Sequence, residues 1–302
     1  MVRLSNMSRL RLLWQIPLIL FVLIVVLILV NEYAIARSSR RINDIPYRPI
    51  NAPGFDAERN SLDVYAPTDD PSRPKPVVMF IHGGSWNSGN KNIYAFIGRR
   101  LAKLGVVAVL INYRLAPAVE VPDMAADCAE AVRWVSQHIA EYGGDSSRIF
   151  LMGHSAGAGL AALLATDDQI LAKVGMSPNP VKGVILDDPA GLDMFDYLSR
   201  MDYPNDEQYL IPFGKKPDVW RSVSALYSLT AHTPPMLVYV GDQTYPSIIK
   251  STGQFLQRLQ ALGVNHEFTR MPNKKHVGMV TQLFWKNNII YRDLLAFVGA
   301  KR

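Results

Sequence analysis

Residues 148–165 read RIFLMGHSAGAGLAALLA, and this stretch decides the fold. Its first part is apolar and of strand length, whereas its second part consists of small and apolar residues typical of a buried helix. Ser155 lies at the junction, with glycines two positions away on each side, at 153 and 157. A sharp strand-to-helix turn strains its central residue and requires very small neighbours at those two positions. Gly153 and Gly157 therefore predict that Ser155 is a nucleophile whose hydroxyl is lifted above the sheet; a tight turn in which serine caps the helix is the alternative.

A second glycine-rich turn follows another strand-like run. Residues 76–81 read PVVMFI, and HGGSW follows at 82–86. The amides of Gly83 and Gly84 can approach a substrate closely because no side chain intervenes. The amide of Ala156 lies at a helix N-terminus, where it has no acceptor within the helix. These three amides are predicted to bind the oxyanion that forms when a nucleophile attacks a carbonyl group.

The residues that flank these two glycines receive supporting roles. His82 is expected to brace the loop rather than to take part in the chemistry. Trp86 is expected to form a wall of a substrate pocket rather than to pack wholly in the core. Both expectations place the HGGSW turn beside Ser155.

Strand-like and helix-like patterns alternate along the rest of the chain. Alternation of buried strands with helices predicts an α/β fold with a mostly parallel sheet and helices on both faces. The predicted strands are 76–81, 106–112, 148–153, 181–187, 236–241 and 266–271, and the predicted helices are 92–104, 122–142, 156–166, 246–263 and 279–299. Segment 188–232 has no strand pattern and is expected to form a lid or pocket wall, with a plain surface excursion as the alternative.

Five motifs together resemble the α/β-hydrolase fold. They are LDVYAP (62–67), IHGGSWNSGNK (81–91), INYRLAP (111–117), YGGDSSRI (142–149) and GHSAGAGLAALLA (153–165). Within that fold the sequence is similar to the carboxylesterase and lipase group with an HGG loop, which includes hormone-sensitive-lipase-like and feruloyl-esterase-like enzymes. The HGGxW form also resembles kynurenine formamidases. The resemblance covers about residues 60–300 and implies a serine hydrolase.

A serine hydroxyl needs a neighbouring base to become a nucleophile. The resemblance implies the chain order serine, acid, histidine, which places the base after the last strand. His276 stands in MPNKKHVGMV, between the predicted strand 266–271 and the last predicted helix. His276 is therefore predicted to be the general base, and a solvated loop histidine beside two lysines is the alternative.

The acid is less clearly marked. The resemblance implies an acidic residue about three positions after Gly241, but Thr244 stands near that position and Asp242 comes two residues earlier. Asp242 is predicted to be the acid, with Asp188 and Asp193 as alternatives at the end of the preceding strand. A dyad without a carboxylate is a further alternative, because the acid only orients the imidazole and stabilises its charged form.

The N-terminal part of the chain has a different character. Residues 12–30 contain no charge, and nineteen residues at about 1.5 Å each can just cross a bilayer core of roughly 30 Å. The predicted organisation is a membrane-spanning signal anchor at 1–36, a linker and lead-in at 37–56 and a catalytic domain at 57–302. The expected location is a single-pass membrane protein with its catalytic domain on the non-cytoplasmic side; secretion after signal cleavage is the alternative.

The distribution of charge along the chain, and the spacing of its His, Cys and acidic residues, argue against several classes of function. The net charge is +6, but residues 1–50 alone hold seven arginines against Glu32 and Asp44, so the remainder is nearly neutral and no nucleic-acid partner is expected. Cys128 is expected to be buried in a helix. No spacing of His, Cys or acidic residues suggests a metal, and no phosphate-binding glycine motif suggests a cofactor.

Three functions agree with these residues. The first is a serine carboxylesterase that acts on a small acyl or aromatic ester through an acyl-enzyme intermediate. The second is an arylformamidase-type amide hydrolase with the same catalytic residues. The third is a catalytically inactive domain displayed from a membrane as an interaction module.

Overall fold

An eight-stranded sheet organises the chain in the computed structural model, which describes residues 18–23, 26, 39–68 and 73–300. The strands are β1 (Ser39–Pro46), β2 (Ser61–Pro67), β3 (Lys75–Ile81), β4 (Val107–Ile111), β5 (Gly144–His154), β6 (Val181–Asp187), β7 (Met236–Gly241) and β8 (His266–Met271). Their spatial order is β1-β2-β4-β3-β5-β6-β7-β8. Strands β3 to β8 are mutually parallel, whereas β2 is antiparallel to both β1 and β4.

Helices cover both faces of the sheet. The α-helices are Ala95–Lys103, Val121–His138, Ala156–Thr166, Asp168–Ala172, Met194–Arg200, Leu210–Phe213, Pro217–Ser222, Ala225–Ser228, Pro246–Ala261, His276–Thr281 and Ile289–Phe297; short 3₁₀ helices occupy Lys91–Tyr94, Ile139–Tyr142, Asp206–Tyr209 and Gln282–Phe284. Alternate residues of β3 enter two separate apolar clusters, Met79 on one face and Phe80 on the other. The sheet is therefore buried on both sides, which is why its strands are apolar throughout.

The predicted α/β-hydrolase architecture is confirmed, and several elements have the predicted bounds. Strands 181–187, 236–241 and 266–271 and helix 156–166 are observed as predicted. The single helix predicted over 279–299 is wrong, because the chain leaves helical conformation at 285–288. The side chain of Asn288 then accepts a hydrogen bond from the Ile290 amide and starts a new helix.

Part of the predicted linker 37–56 is a strand, which corrects that assignment. β1 pairs along the edge of the sheet with β2, and the register shifts between Ile42 and Ile45. This irregularity places the two apolar side chains three positions apart and removes the alternation by which a strand is recognised in a sequence.

Segment 188–232 forms four short α-helices and one 3₁₀ helix and packs against the rest of the catalytic domain. The structure contains no strand between these residues, as predicted. Met194, Leu198 and Phe213 are buried in the same apolar cluster as the central strands. The segment is therefore a packed wall beside the carboxyl ends of the strands.

The N-terminal apolar segment is described only in part. Residues 18–23 and 26 are helical and their side chains are exposed. The remainder of the predicted span 12–30 lies outside the described residues. Within the ranges that the structure describes, no helix has the length and apolar character needed to cross a bilayer.

Candidate active site

Three polar side chains meet at one edge of the sheet, and each belongs to a residue that follows a different strand. Ser155 follows β5, Asp188 follows β6 and His276 lies beyond the end of β8. The carboxyl ends of parallel strands share one edge, and open α/β sheets place their ligand sites in the crevice outside that edge. The topology therefore brings together residues that are separated by up to 121 positions in the chain.

The turn at Ser155 is strained, as its sequence predicts. Ser155 has φ 57° and ψ −126°, a conformation that costs a non-glycine residue on the order of 1–3 kcal/mol. A Cβ atom on Gly153 would lie 2.3 Å from the Gly157 carbonyl oxygen, and one on Gly157 would lie 2.1 Å from that of Ile81. The Ser155 side chain makes no capping hydrogen bond to the following helix, so the alternative of a helix cap is wrong.

His276 joins Ser155 to a carboxylate. Its Nε2 atom lies 2.8 Å from Ser155 Oγ, and its Nδ1 atom lies 2.5 Å from Asp188 Oδ2. A carboxylate only accepts hydrogen bonds, so Nδ1 carries the proton and Nε2 presents its lone pair to the serine hydroxyl. This is the tautomer that a general base requires. The side chain is 16% exposed, and His276 begins the helix His276–Thr281 rather than lying in a solvated loop.

Asp188, and not Asp242, is the carboxylate that contacts His276. Asp188 is fully buried, has φ 52°, and also accepts hydrogen bonds from the Gly241 amide at 2.9 Å and from the Thr244 hydroxyl. Thr244, which stands at the position implied for the acid, thus orients the acid supplied by the neighbouring strand. The prediction of Asp242 is wrong, because His276 Nδ1 bonds Asp188 instead and the buried Oδ1 of Asp242 has no hydrogen-bond partner among the described residues.

Asp193 and the dyad are excluded as well. Asp193 Oδ1 accepts hydrogen bonds from the Asp196 amide and the Tyr227 hydroxyl, so it caps the helix Met194–Arg200. The contact between Asp188 and His276 supplies the carboxylate that a dyad would lack.

Two of the three predicted oxyanion donors, Gly83 and Ala156, lie directly beside Ser155. Ala156 is the first residue of the helix Ala156–Thr166, so its amide has no acceptor within that helix. An ideal Cβ on Gly83 would lie 3.0 Å from Ser155 Cβ, so the backbone of Gly83 packs against the serine. Gly84 has φ 131°, and Ser85, with φ 50°, lines the cavity beside Ser155. The HGGSW turn thus borders both Ser155 and the cavity.

His82 braces this turn, as predicted. Its Nδ1 atom lies 2.8 Å from the Gly83 carbonyl oxygen, and its ring stacks on Tyr113 with centroids 4.5 Å apart. The Tyr113 hydroxyl donates to the His82 carbonyl oxygen at 3.0 Å. Burial lowers the pKa of His82 to about 4, so the imidazole is neutral.

A cavity of about 480 Å³ opens beside Ser155 and His276. Trp86 lines it, as predicted, and packs edge-on against Phe213 with centroids 4.8 Å apart. Segment 188–232 contributes the further aromatic side chains Tyr197, Tyr203 and Tyr209 to the lining. Tyr245, which precedes the helix Pro246–Ala261, contributes another. Within the part of the chain that the structure describes, no group of three or more His, Cys, Asp or Glu side chains is arranged to hold a metal ion.

Three residues of the site were missed by sequence reasoning. Ser85 lines the cavity, Tyr245 places its ring 5.0 Å from that of His276, and His154 hydrogen-bonds the His276 backbone. His154 carried a local signal, because it immediately precedes the nucleophile. The positive φ of Ser85 and the approach of Tyr245 to His276 have no local signature in the sequence.

The strained serine, the histidine and the buried aspartate, set at the carboxyl edge of a mostly parallel sheet, define a serine hydrolase of the α/β-hydrolase fold. The chain belongs to the BD-FAE family, whose model matches residues 62–258. That range includes Ser155, Asp188 and the HGGSW turn, whereas His276 lies beyond it.

Known proteins resemble this chain over most of its length. A probable isoprenylcysteine alpha-carbonyl methylesterase of Arabidopsis thaliana is 31% identical over 263 residues, which are 80% of this chain and 54% of that protein. A kynurenine formamidase of Danio rerio is 26% identical over 270 residues, which are 88% of this chain and 87% of that protein. The chain therefore spans about half of the plant methylesterase and nearly the whole of the formamidase.

Solved structures show the same fold. Esterase B from Lactobacillus rhamnosus superposes with a TM-score of 0.73 at 22% sequence identity, covering 87% of this chain and 86% of that chain. At this identity the likeness concerns the fold.

Proposed function

We propose that this protein is a serine carboxylesterase that hydrolyses a small acyl or aromatic ester through an acyl-enzyme intermediate. Ser155 is the nucleophile, His276 the general base and Asp188 the residue that orients and stabilises the charged histidine. The amide of Ala156 and the HGGSW turn hold the oxyanion. The single observation that carries the proposal is the continuous contact from Asp188 through His276 to Ser155.

The chemistry follows from these contacts. Ser155 Oγ attacks the ester carbonyl carbon while its proton passes to His276 Nε2, and the imidazolium is stabilised by Asp188. The tetrahedral intermediate collapses, its C–O bond breaks, and the alcohol leaves with the proton from His276. A water molecule then gives a proton to His276 and attacks the acyl carbon, which releases the acid and restores Ser155.

The volume of the cavity limits the size of the substrate. About 480 Å³ lies in the usual range of small-molecule pockets. The aromatic rings that line it favour an apolar acyl group or an aromatic ring. The deacylating water must enter by the same opening, because Ser155 itself is only 7% exposed.

The proposal is tested by labelling the full chain, purified in detergent, with a fluorophosphonate probe. Such a probe forms a stable adduct with an activated serine and needs no knowledge of the substrate. Peptide mass spectrometry is expected to locate the adduct on Ser155. The adduct is expected to disappear in Ser155→Ala and His276→Ala. The same two variants are expected to lose turnover of p-nitrophenyl acetate. A folded protein without an adduct would contradict the proposal.

A formamide substrate is the second candidate, and one observation favours it. The Danio rerio kynurenine formamidase matches this chain over 87% of that protein's length, whereas the plant methylesterase matches over only 54% of its own. An amide nitrogen is a poorer leaving group, so His276 would have to protonate it. The ratio of kcat/KM for a phenyl ester to that for N-formylkynurenine decides between the two.

The inactive interaction module is the candidate that the geometry supports least. A domain without selection for catalysis has no need to keep Ser155 in a strained conformation or to bury Asp188 against His276. Any turnover that disappears in Ser155→Ala would discard this candidate.

We also propose that residues 12–30 anchor the protein in a membrane as a single span, with the catalytic domain on the non-cytoplasmic side. The support is the length of the uncharged run and the arginines that precede it. Resistance to alkaline carbonate extraction is expected, together with an intact N-terminus by mass spectrometry. A mature protein that begins after residue 36 would favour secretion instead.

A further inference from the structure

His154 occupies a position between the two halves of the site. It is the last residue of β5, and β5 lies between β3 and β6, which lead to the HGGSW turn and to Asp188. His154 is almost wholly buried, with only 4% of it exposed.

One nitrogen of His154 holds the backbone of the general base. His154 Nε2 lies 3.2 Å from the His276 carbonyl oxygen, and the two rings have centroids 4.8 Å apart. A carbonyl oxygen only accepts, so His154 Nε2 carries the proton and donates it. This bond connects the strand that bears the nucleophile to the residue that must accept its proton.

The other side of His154 contacts the HGGSW turn. An ideal Cβ placed on Gly83 would lie 2.8 Å from the His154 carbonyl oxygen and 3.3 Å from His154 Nδ1. The turn thus packs directly against this residue, and Nδ1 has no hydrogen-bond partner among the described residues. His154 therefore contacts both the backbone of His276 and the HGGSW turn.

The charge of His154 agrees with such a role. Burial, together with the neighbouring charge of His276, lowers the pKa of His154 to about 3. The titratable groups around it are His276, Asp188, and His82 and Asp187 at the ends of the two adjacent strands. A neutral His154 lets His276 become an imidazolium without a second positive charge beside it.

We propose that His154 is a positioning residue for the reaction, one that fixes His276 relative to Ser155 through the bond from its Nε2–H to the His276 carbonyl. The assignment rests on the proposed function of this site. His154 does not contact the substrate, so its loss should lower kcat and leave KM nearly unchanged.

Two substitutions in the full chain test this. His154→Phe keeps a ring in the same space but removes the donor, and a displacement of the base by even a fraction of an ångström is expected to reduce kcat about tenfold or more. His154→Gln places an amide N–H near the position of Nε2 and is expected to recover most of that loss. The readouts are kcat and KM with p-nitrophenyl acetate, the rate of fluorophosphonate labelling and the midpoint of thermal unfolding.

His266→Phe is the matched control. His266 also bonds a backbone carbonyl, that of Val264 at 2.8 Å, but at the opposite end of the sheet. It should leave kcat unchanged. If His154→Phe does not fold, His154→Asn replaces it, because its shorter amide keeps polarity without reaching the His276 carbonyl.

The outcomes are distinguishable. If the wild type is active and His154→Phe has the same kcat, the positioning role of His154 is overturned while the proposed function stands. A loss of kcat in His154→Phe that His154→Gln fails to reverse would overturn that role as well. A wild type that neither labels nor turns over would overturn the proposed function and this assignment with it. A selective loss of kcat restored by glutamine supports the proposal.

Discussion

Replacing Asp188 by asparagine tests the assignment of the acid. In the wild type one carboxylate accepts three hydrogen bonds, from His276 Nδ1, the Gly241 amide and the Thr244 hydroxyl. An asparagine side chain has only one acceptor oxygen. With this oxygen toward Gly241, its NH₂ group faces His276 and Thr244, both of which are donors in the wild type.

The expected consequence is the wrong tautomer of His276. An NH₂ group beside Nδ1 favours the form with the proton on Nε2, which donates to Ser155 Oγ and cannot accept its proton. Loss of the correct tautomer in a serine triad reduces kcat by roughly 10³- to 10⁴-fold, which corresponds to about 4–5.5 kcal/mol of transition-state stabilisation. KM should change little, because Asp188 is buried behind the histidine and does not line the cavity.

Asp242→Asn is the matched control, since it makes the same chemical change at the residue that directly follows Gly241, the end of β7. The buried oxygen of Asp242 makes no hydrogen bond among the described residues, so this variant should keep kcat within about threefold of the wild type. Both variants are assayed by initial rates on p-nitrophenyl acetate, with circular dichroism to establish folding. The reasoning would be refuted if Asp242→Asn lost as much activity as Asp188→Asn, or if Asp188→Asn retained more than a tenth of the wild-type kcat.

Three further predictions concern stability and the cavity. Gly157→Ala places a Cβ 2.1 Å from the Ile81 carbonyl oxygen, so the variant should unfold at a clearly lower temperature or fail to fold, as followed by scanning calorimetry; an unchanged midpoint would disprove the steric argument. The pKa values of His82 and His154 are lowered to about 4 and about 3, so the unfolded chain binds more protons below pH 6.5, and the free energy of unfolding should fall as the pH drops from about 6.5 toward 4. Urea titrations at several pH values measure this, and a flat profile over that interval would contradict it. Trp86→Ala removes a 4%-exposed cavity wall and should cost about 3–5 kcal/mol of stability while raising KM for aromatic esters more than for acetate esters; an equal change in both KM values would exclude Trp86 as an acyl contact.

The sequence alone determined the parts of the site that depend on local geometry. Gly153, Ser155 and Gly157 lie within five residues, and the steric demand of a strand-to-helix turn acts over that distance. His276 was also identifiable from the sequence, because it is the one histidine that follows the strand 266–271. The apolar strands of the parallel sheet were recognisable for a similar reason, since burial on both faces makes each of them apolar throughout.

Tertiary structure decided which carboxylate serves His276. β6 and β7 are adjacent and parallel, so the residues that follow them reach the same edge of the sheet. The sequence does not show which of the three candidate carboxylates, Asp188, Asp193 or Asp242, points toward His276. The hydrogen bonds from Gly241 and Thr244 select Asp188, and these partners are more than fifty residues away in the chain. Tertiary structure also decided two further features, the edge strand β1 and the contact between His154 and His276. Each depends on contact between segments that are distant in the chain, and no local sequence pattern marks such a contact.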